Sequence, residues 1–412
     1  MNIAYFIAGR IVNGQKGSFS SIIIRIAAAS VALSVAVMMV TNAMITGFKF
    51  EIREKIFGFW GHIHLTHTTA NRFLLESVPI EKDTALWTIL NQSKWSNQIH
   101  GVKPYAVKPG IIKAGGAIEG IILKGVGPTQ GGVDPAQKFI ESGLYIPIDD
   151  DVASNDIVIS RQTADRLQVE VGDELLIHFI QEGNQLRRKF YISGIYKSGL
   201  EEYDREFAIV DIRKIQEILG WRNNQVAGLE IITTPLAQVD LIIAFLQLEV
   251  IPIQWYAESI RQKLPEIFEW LDLQDVNEIV IMTLMIIVAV INMITALLIL
   301  ILERTQMIGI LKALGSTDKN IRSIFLYYSS YIIGMGLFWG NIVGLGVCWA
   351  QKKWAFIQLD EANYYLHTAP IKIEWWQWLS INIGTFGITL LFLIIPSLLV
   401  GRIHPVKAIK FN

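Results

Sequence analysis

The sequence predicts a membrane protein of four transmembrane α-helices, arranged as one plus three, with a large α+β extracytoplasmic domain inserted between helices 1 and 2. Of its 412 residues, 52% are hydrophobic and 18% charged, which is too apolar for an ordinary soluble enzyme and too charged for a protein lying wholly in the membrane. Crossing the hydrocarbon core takes about 20 consecutive apolar residues in a helix. Such stretches occupy residues 26–48, 278–302, 324–350 and 376–400. The long segment 49–277 between the first two is the inserted domain.

The basic residues that flank the spans predict their orientation. Segment 1–25 contains three Lys or Arg residues and no acid, and the tail 401–412 again contains three and no acid. Cytoplasmic flanks of membrane proteins are enriched in Lys and Arg, so both termini are expected in the cytoplasm. Four crossings then place segment 49–277 and the loop 351–375 outside. Aromatic residues at both ends of that loop fit an outer interfacial belt.

The segments that flank the first span are predicted to be helical. Within residues 1–25, NIAYFIAGRIV carries apolar residues at helical spacing beside a cation. This pattern predicts a short amphipathic helix on the inner leaflet, with a frayed terminus as the alternative. After the span, GFKFEIREKIFGFW continues the helical pattern outward, and the chain returns through residues 257–274 into the second span.

The outer domain alternates strand-like and helix-like stretches. Apolar alternation and β-branched residues predict strands at residues 61–67, 103–114, 117–127, 155–160, 173–180, 187–196, 205–211 and 227–234. Helical periodicity predicts helices at residues 84–92, 161–168, 212–220 and 236–248. This mixture predicts two small α+β lobes, with the second lobe, at about residues 115–225, inserted into the first.

Several function classes are excluded by what the sequence lacks. The phosphate-binding pattern G-x-x-x-x-G-K-[ST] is absent, and the nearest glycine cluster, GVGPTQGG, has no lysine. The chain is therefore not expected to hydrolyse ATP by itself, and no catalytic residue is predicted. Cys348 is the single cysteine and lies within a span, so no intrachain disulfide or cysteine-based metal site is expected. A net charge of −1 argues against nucleic acid as a partner.

Two clusters could in principle hold a metal, and neither is predicted to do so. His62 and His64 fall on one face of a predicted strand, with His67 nearby, but no acid or cysteine stands beside them. We therefore interpret them as a partly exposed strand face. The acidic run at residues 149–151 lacks the alternating spacing of a calcium loop and is interpreted as a solvated turn.

Small and polar residues within the spans predict close helix packing. Gly336, Gly340 and Gly344 recur at intervals of four and place three bare backbone patches on one face of the third span. Intrachain packing and a subunit interface are both compatible with this face. Asn292 lies midway along the second span, where a polar side chain must face protein or a cavity. Packing and the lining of a substrate path are its two interpretations.

The first span carries a similar strip of small residues. Ala27, Ser30 and Ser34 make up this strip, which again allows close approach of a neighbouring helix.

A charged insert at residues 303–323 separates the second and third spans. Met307, Ile308, Ile310, Leu311 and Leu314 are predicted to form one apolar helical face. Gly315 should end this helix, and Ser316 or Thr317 should cap the next. The pattern predicts a rigid amphipathic elbow that a soluble partner could push, and a connector without a partner is the alternative.

The elbow resembles the signature of the FtsX-like (MacB-type) permease family of ABC transporters, through the stretch ERTQMIGILKALGSTDKNIRSIF. The positions that match are Glu303, Gly309, Lys312, Ala313, Leu314, Gly315, Ile321 and Arg322. Further similarity lies in VAVINMIT around Asn292, in the C-terminal Pro405 and Ala408, and in the helix leaving the first span.

Within that family, ISRQTADRLQVEVGDELLIHF and the segment 190–211, which contains GLEEYD, resemble the lipoprotein-releasing branch of LolC/LolE type. In this branch, one permease uses a proline-bearing hairpin to recruit a periplasmic carrier. The corresponding stretch here, QEGNQLRRK at residues 181–189, is short and lacks proline. The carrier is thus a further candidate partner rather than an expectation.

The resemblance implies a permease subunit of the bacterial inner membrane that itself binds no cofactor. ATP and Mg²⁺ would be bound by a separate ATPase, present in two copies, and a second permease chain, either identical or a paralogue, would complete the complex. Lipoproteins would be extracted from the membrane lipid, with acyl chains entering laterally between the first and second spans. The residues implied in coupling to the ATPase are Glu303, Arg304, Gly309, Lys312, Leu314, Gly315 and Arg322.

Three alternative functions remain open from the sequence. The family also contains efflux permeases for small molecules or peptides and regulators of cell-wall hydrolases. An anchored sensor or adhesion module, whose spans only hold it in the membrane, represents a different class.

Overall fold

A computed structural model describes residues 19–69, 78–82, 85–114, 117–148, 152–181, 184–234, 237–360 and 364–402. The chain divides into two compact units. The membrane unit comprises the residues up to Phe50, Trp270–Gln358 and those from Thr368 onward. The second unit, called here the sheet domain, comprises Glu51–Glu269 and Leu359–His367.

Within the described residues, four helices are long and apolar enough to cross a membrane, which confirms the predicted one-plus-three arrangement with an inserted α+β domain. The helices of the described residues are α1 Phe19–Trp60, α2 Ala85–Gln92, α3 Arg161–Leu167, α4 Glu201–Glu206, α5 Ile212–Leu219, α6 Val239–Phe245, α7 Ile260–Lys263, α8 Pro265–Glu303, α9 Thr305–Ala313, α10 Asp318–Trp354 and α11 Trp375–Ser397. Helices α1, α8, α10 and α11 contain the candidate spans. Both α1 and α8 are longer than the apolar stretches 26–48 and 278–302 within them.

The strands of the described residues are β1 Ile63–His67, β2 Ile80–Glu81, β3 Ile99–Ala114, β4 Ala117–Val126, β5 Ile140–Gly143, β6 Asp156–Ser160, β7 Glu174–Gln181, β8 Asn184–Tyr196, β9 Phe207–Asp211, β10 Gln225–Val226, β11 Gly228–Thr233 and β12 Trp255–Ser259. Ten form one sheet in the order β12-β1-β11-β3-β4-β9-β6-β8-β5, with β7 paired to β3 and β8, while β10 and β2 pair separately. All eight predicted strands and all four predicted helices of this domain are present. Helix α4 and the short strands β2, β5, β10 and β12 were not predicted.

The predicted lobe at about residues 115–225 is not separated from the rest by a break in the sheet. Strand β3 pairs with β11 on one side and with β4 on the other, so strands assigned to both lobes share one hydrogen-bonded sheet. The lobe boundary stays a prediction. Gln181 pairs with Asn184 at the end of the β7–β8 hairpin, which agrees with the short hairpin expected there.

Each unit has its own hydrophobic core. In the sheet domain, alternate side chains of the strands pack against α2, α3 and α5, with fully buried residues such as Leu65, Leu123 and Phe179. In the membrane unit, α1, α8, α10 and α11 share a core that includes Val31, Met293 and Leu393. The predicted amphipathic segment NIAYFIAGRIV, at residues 2–12, lies outside the described residues.

Candidate functional site

The elbow between the second and third spans is a short helix bounded by two defined breaks. Helix α8 ends at Glu303, Arg304 leaves the helical conformation, and α9 begins at Thr305. At the other end Gly315 has φ +89°, and its N–H donates to the Lys312 carbonyl at 3.0 Å. The Ser316 N–H donates to the Leu311 carbonyl at 2.9 Å. This pair of bonds is the Schellman arrangement, which needs a left-handed residue at the position of Gly315.

The next helix starts where the sequence predicted. Of the two candidate caps, Thr317 takes the role: its hydroxyl oxygen accepts the N–H of Asn320 at 3.4 Å and opens α10. The break at Gly315 and the restart two residues later are confirmed.

The apolar face predicted for the elbow is only partly buried. Ile308 is fully buried, and Met307 and Leu311 pack against the core of the membrane unit. Ile310 and Leu314 are 52% and 78% exposed. The apolar stripe of α9 is wider than the surface that the membrane unit offers to it. One side of the stripe therefore packs against that unit, and the other side faces outward.

The basic residues of the elbow converge on the start of α10 and the end of the described chain. The Lys312 ammonium lies 2.9 Å from Asp318 Oδ1 and donates to the Gly401 carbonyl at 3.3 Å. Arg322 also approaches Gly401, because a Cβ built there would lie 3.2 Å from its guanidinium. The Nε atoms of Arg304 and Arg322 are buried and have no hydrogen-bond partner in the described part of the chain.

The implied coupling residues therefore fall into three groups. Lys312, Gly315 and Arg322 lie around the turn between α9 and α10. Glu303 and Arg304 lie at the break after α8. Within α9 and at its end, Gly309 is buried and Leu314 is exposed. Their role in coupling stays a prediction.

The glycine stripe of α10 packs against α1 within the same chain. A Cβ on Gly336 would lie 2.7 Å from Val31 Cβ, and one on Gly340 would lie 2.7 Å from the Ala32 carbonyl oxygen. Gly344 faces α1 as well, where a Cβ would lie 3.2 Å from Ala36 Cα. Of the two interpretations of this stripe, these contacts favour intrachain packing.

Polar contacts link α1 to α8 at three levels along the helices. The Asn292 amide donates to the Ser30 hydroxyl oxygen, which supports the packing interpretation of Asn292. Nearer the sheet-domain end, the Asn42 amide donates to Glu278 Oε1 at 2.6 Å. At the third level Lys49 and Asp275 form an ion pair, and neither of these two outer contacts was predicted.

Helices α10 and α11 are joined by a hydrogen-bond network that was not predicted from the sequence. The Asn341 amide donates to Asn382 Oδ1 at 2.6 Å, and the Trp378 indole N–H donates to Asn341 Oδ1 at 2.6 Å. Asparagines inside apolar spans are the signal that could have indicated it.

The sheet domain contains a buried row of three charged side chains and one histidine across four neighbouring strands. The strand register places Lys103 of β3 opposite Glu230 of β11, Glu230 opposite His64 of β1, and His64 opposite Glu258 of β12. Lys103 Nζ lies 3.2 Å from Glu230 Oε2, and Lys124 of β4 reaches the other Glu230 oxygen at 2.7 Å.

Asp134 completes the charge balance on the other side of Lys103. The Lys103 ammonium donates to Asp134 Oδ1 at 3.0 Å, and the Tyr145 hydroxyl donates to Asp134 Oδ2 at 2.7 Å. Two lysines and two carboxylates thus neutralise each other at a site where each side chain is at most 2% exposed.

Lys124 also fixes the end of α1. Its ammonium donates to the Phe59 carbonyl at 2.5 Å and lies 4.1 Å from the centre of the Trp60 ring. A cation at this position satisfies a terminal carbonyl and opposes the negative end of the helix dipole. The contact therefore ties the last turn of α1 to the sheet.

Burial and neighbouring charges act in opposite directions on these groups. Burial disfavours the charged form of Lys103, but Asp134 and Glu230 outweigh it and hold the pKa of Lys103 above its ordinary value. For Lys124, burial dominates over the attraction of Glu230 and lowers the pKa to about 8. Burial by itself would raise the pKa of Asp134, but the charge of Lys103 and the hydrogen bonds from Tyr145, the Ala136 N–H and Lys103 together outweigh it, so the pKa of that carboxyl is lowered.

His62 and His64 are buried, so their interpretation as a partly exposed strand face is wrong. His64 Nε2 lies 2.6 Å from the Trp60 carbonyl oxygen, which can only accept, and the Lys263 ammonium donates to His64 Nδ1 at 2.9 Å. These two bonds define a neutral imidazole, and burial accordingly lowers its pKa well below the ordinary value. His62 Nδ1 accepts the Thr233 N–H at 3.1 Å, and burial together with His100 lowers its pKa to about 4.

No group of three His, Cys, Asp or Glu side chains in the described residues is arranged to hold a metal ion. The acidic run at residues 149–151 lies outside the described residues.

The turn at Ser198 and Gly199, which leads into α4, is held by Asp204 of the GLEEYD stretch. Asp204 Oδ1 accepts the Ser198 hydroxyl at 2.6 Å, and Asp204 Oδ2 accepts the Gly199 N–H at 3.0 Å. Burial raises the pKa of Asp204, although these hydrogen bonds oppose the shift. Gly199 has φ +72°, a conformation that favours glycine, and a Cβ there would displace the Lys55 ammonium.

Comparison with known proteins agrees with both halves of this architecture. The family described as MacB-like periplasmic core domain matches residues 26–244, and the FtsX-like permease C-terminal family matches residues 279–405. This chain belongs to the FtsX-like, MacB-type permeases of the ABC transporters.

Two full-length relatives of this permease are informative. It is 22% identical over 421 residues to the lipoprotein-releasing system transmembrane protein LolC of Neisseria meningitidis serogroup B, covering 97% of this chain and 96% of the relative. It is 21% identical over 432 residues to LolE of Haemophilus influenzae, covering 100% of both chains. Among solved structures, the periplasmic region of MacB from Actinobacillus actinomycetemcomitans matches with TM-score 0.35 and 12% identity, over 50% of this chain and 92% of that chain.

Proposed function

We propose that this permease is a subunit of an ATP-driven complex that extracts lipoproteins from the inner membrane of a diderm bacterium for delivery to the outer membrane. The observation that carries the proposal is similarity to LolC and LolE proteins over the full length of the chain, spans and sheet domain together. In this arrangement both termini and the elbow are cytoplasmic, and the sheet domain is periplasmic.

The need for an energy source follows from the substrate. Removing an acyl chain from a bilayer costs about 0.8 kcal/mol per CH₂ group exposed, so a binding domain alone would not release a lipoprotein. The permease carries no catalytic residue in this proposal. Two copies of a separate ATPase bind ATP and Mg²⁺, and a second permease chain, identical or a paralogue, completes the membrane part.

The elbow would transmit the motion of the ATPase. Ile310 and Leu314 present apolar surface away from the core, where a groove of the partner can cover it. The Schellman turn at Gly315 and the Lys312–Asp318 ion pair hold α9 against α10, so a push on α9 would move α10 rather than bend the connection. Motion would pass along α8 towards the periplasmic domain and expel the substrate.

The first test is depletion of this protein in its native cell, with lipoproteins quantified in separated inner and outer membranes by mass spectrometry. Retention of outer-membrane lipoproteins in the inner membrane before any general envelope defect would support lipoprotein release. An unchanged distribution with altered drug sensitivity or cell division, in a cell without a redundant paralogue, would instead favour the efflux or cell-wall branch of the family.

The second test addresses the elbow with matched variants. Gly315→Pro cannot adopt the positive φ of this position, whereas Gly315→Asn tolerates it. We expect Gly315→Pro and Arg304→Glu to leave the complex assembled and hydrolysing ATP but unable to release lipoprotein, and Gly315→Asn to retain release. Normal coupling of hydrolysis to release in both disruptive variants would contradict the role given to the elbow.

A further inference from the structure

A groove of about 430 Å³ runs along the surface of the membrane unit between α1 and α10. It exists because Gly336 and Gly340 bring the two backbones close together. Ala29 and Ala32 line the α1 side, and Trp339 stands on the α10 side. The groove therefore forms where small residues of the two helices pack closely and the large Trp339 ring projects beside them.

The groove is open to the surroundings along its length. Leu33, Trp339 and Val343 are 66%, 54% and 50% exposed. Residues four apart lie on one face of a helix, so Ala29 and Leu33 continue one stripe on α1, and Trp339 and Val343 continue another on α10. Both stripes are apolar at the end that lies deeper in the membrane.

The other end of the same stripes is polar. Arg25 lies one turn before Ala29, lines the groove and is exposed, and no acidic side chain of the described residues forms an ion pair with it. Tyr331 lies two turns before Trp339 on α10 and is 51% exposed. A guanidinium and a phenol hydroxyl thus occupy the end at which a lipid headgroup would lie.

The length of the groove matches one leaflet. From Arg25 to Leu33 the rise of about 1.5 Å per residue gives roughly 12 Å, and one leaflet contributes about half of a hydrocarbon core of roughly 30 Å. A molecule that fills the groove therefore has an anionic head at Arg25 and an apolar chain that reaches about the bilayer centre.

We propose that this groove binds one glycerophospholipid with an anionic headgroup from the cytoplasmic leaflet. Arg25 would contact the phosphate, for which its planar fork of donors is well suited, and one acyl chain would lie over Ala29 and Ala32 beside Trp339. The inference uses the orientation given under Proposed function, in which Arg25 is at the cytoplasmic end. The acyl chains of a lipoprotein would carry their polar group at the opposite surface.

The test is binding of phosphatidylglycerol and phosphatidylcholine, with the same acyl chains, to the delipidated full-length protein in detergent, measured by native mass spectrometry. We expect one phosphatidylglycerol per chain to bind in preference to phosphatidylcholine. Arg25→Gln should reduce phosphatidylglycerol affinity about tenfold, because a charge-assisted contact is lost, and should change phosphatidylcholine binding little. Lys352→Gln, at the far end of α10, should behave as wild type.

A second pair of variants tests the apolar part of the groove. Ala29→Leu should weaken both lipids by filling the space for the acyl chain, whereas Gly387→Leu, where a Cβ would meet nothing within 4 Å, should leave binding unchanged. Unchanged phosphatidylglycerol affinity in Arg25→Gln or in Ala29→Leu would overturn the proposal. Displacement of the phospholipid by an equimolar triacylated lipopeptide would also overturn it, because the groove would then belong to the substrate.

This binding measurement uses neither nucleotide nor lipoprotein transport. A failure of lipid binding would therefore leave the lipoprotein-release test intact, and a failure of release would leave the lipid-binding result intact.

Discussion

We expect Glu230→Gln to lower the free energy of unfolding of the sheet domain by about 3–5 kcal/mol, the usual cost of removing one partner from a buried ion pair. The substitution keeps the shape of the side chain but removes its charge. Lys103 then keeps Asp134 as a partner, whereas Lys124 keeps only the Phe59 carbonyl and two aromatic rings. One buried positive charge is left uncompensated.

A double variant separates the charge effect from packing. In the single variant Lys124→Met, the two carboxylates Glu230 and Asp134 have only Lys103 as a common partner. The buried cluster then carries one net negative charge. In the double variant Glu230→Gln/Lys124→Met, Lys103 and Asp134 balance each other again. The loss in the double variant should therefore be smaller than the sum of the single losses by about 1.5–3 kcal/mol, within the range for directly contacting residues.

The assay is thermal unfolding of the purified full-length protein, followed by tryptophan fluorescence, because Trp60 stacks on Lys124. For a domain of this size, 1 kcal/mol corresponds to a change of about 2–4 °C in Tm, so Glu230→Gln should lower the transition by roughly 6–20 °C. Glu174→Gln is the control, since it removes an exposed ion pair with Lys189. Strictly additive losses in the double variant would refute the charge-balance reasoning.

Three further predictions concern other positions. The pKa of His62 is about 4 in the folded protein, against an ordinary 6.5. As the pH falls, the unfolded chain therefore takes up a proton at His62 before the folded protein does. The free energy of unfolding should consequently fall by about 2 kcal/mol between pH 7 and pH 5. His62→Gln should therefore show a smaller drop in Tm between pH 7 and pH 5 than wild type, and equal drops would contradict this account. Gly340→Leu should destabilise the solubilised protein by about 1–3 kcal/mol or more, since its side chain would collide with α1, whereas Gly387→Leu should not. Gly199→Ala should lower the free energy of unfolding by about 1–2 kcal/mol because of its positive φ and should also displace Lys55; an unchanged Tm would argue against the tight turn.

The parts of the fold that were predicted correctly are those with a local cause. The length of the apolar stretches predicted the four spans, and the alternation of apolar and polar residues predicted the strands of the sheet domain. Gly315 and Thr317 gave the end of one helix and the start of the next, because a left-handed position and a hydroxyl cap are each encoded within a few residues. The short strands β2 and β10 contain two residues each, too few for a periodic pattern.

The charged row of the sheet domain could not be predicted, because its members meet only through strand pairing. Lys103 and Glu230 are far apart in the chain and become neighbours through the register of β3 and β11. A partial signal was present, since Lys124 in the run IILKGV and Glu230 in the run GLEII each stand among apolar residues, and a charge in a buried strand needs a partner. The same pairing buried His64, so its environment could not be inferred from β1 alone.

The elbow shows how far periodicity alone can predict which residues are buried. Its apolar stripe identifies α9 as amphipathic, but only packing decides which part of the stripe is covered, and the covered part is Met307, Ile308 and Leu311. Ile310 and Leu314 are left largely exposed. Full burial of a large aliphatic side chain contributes about 1.5–3 kcal/mol, so covering this half-exposed pair would yield roughly 2–4 kcal/mol. A partner that covers the pair in one of its states and not in another could therefore bias the position of α9 by up to that amount, and the rigid corner at Gly315 would pass the bias to α10.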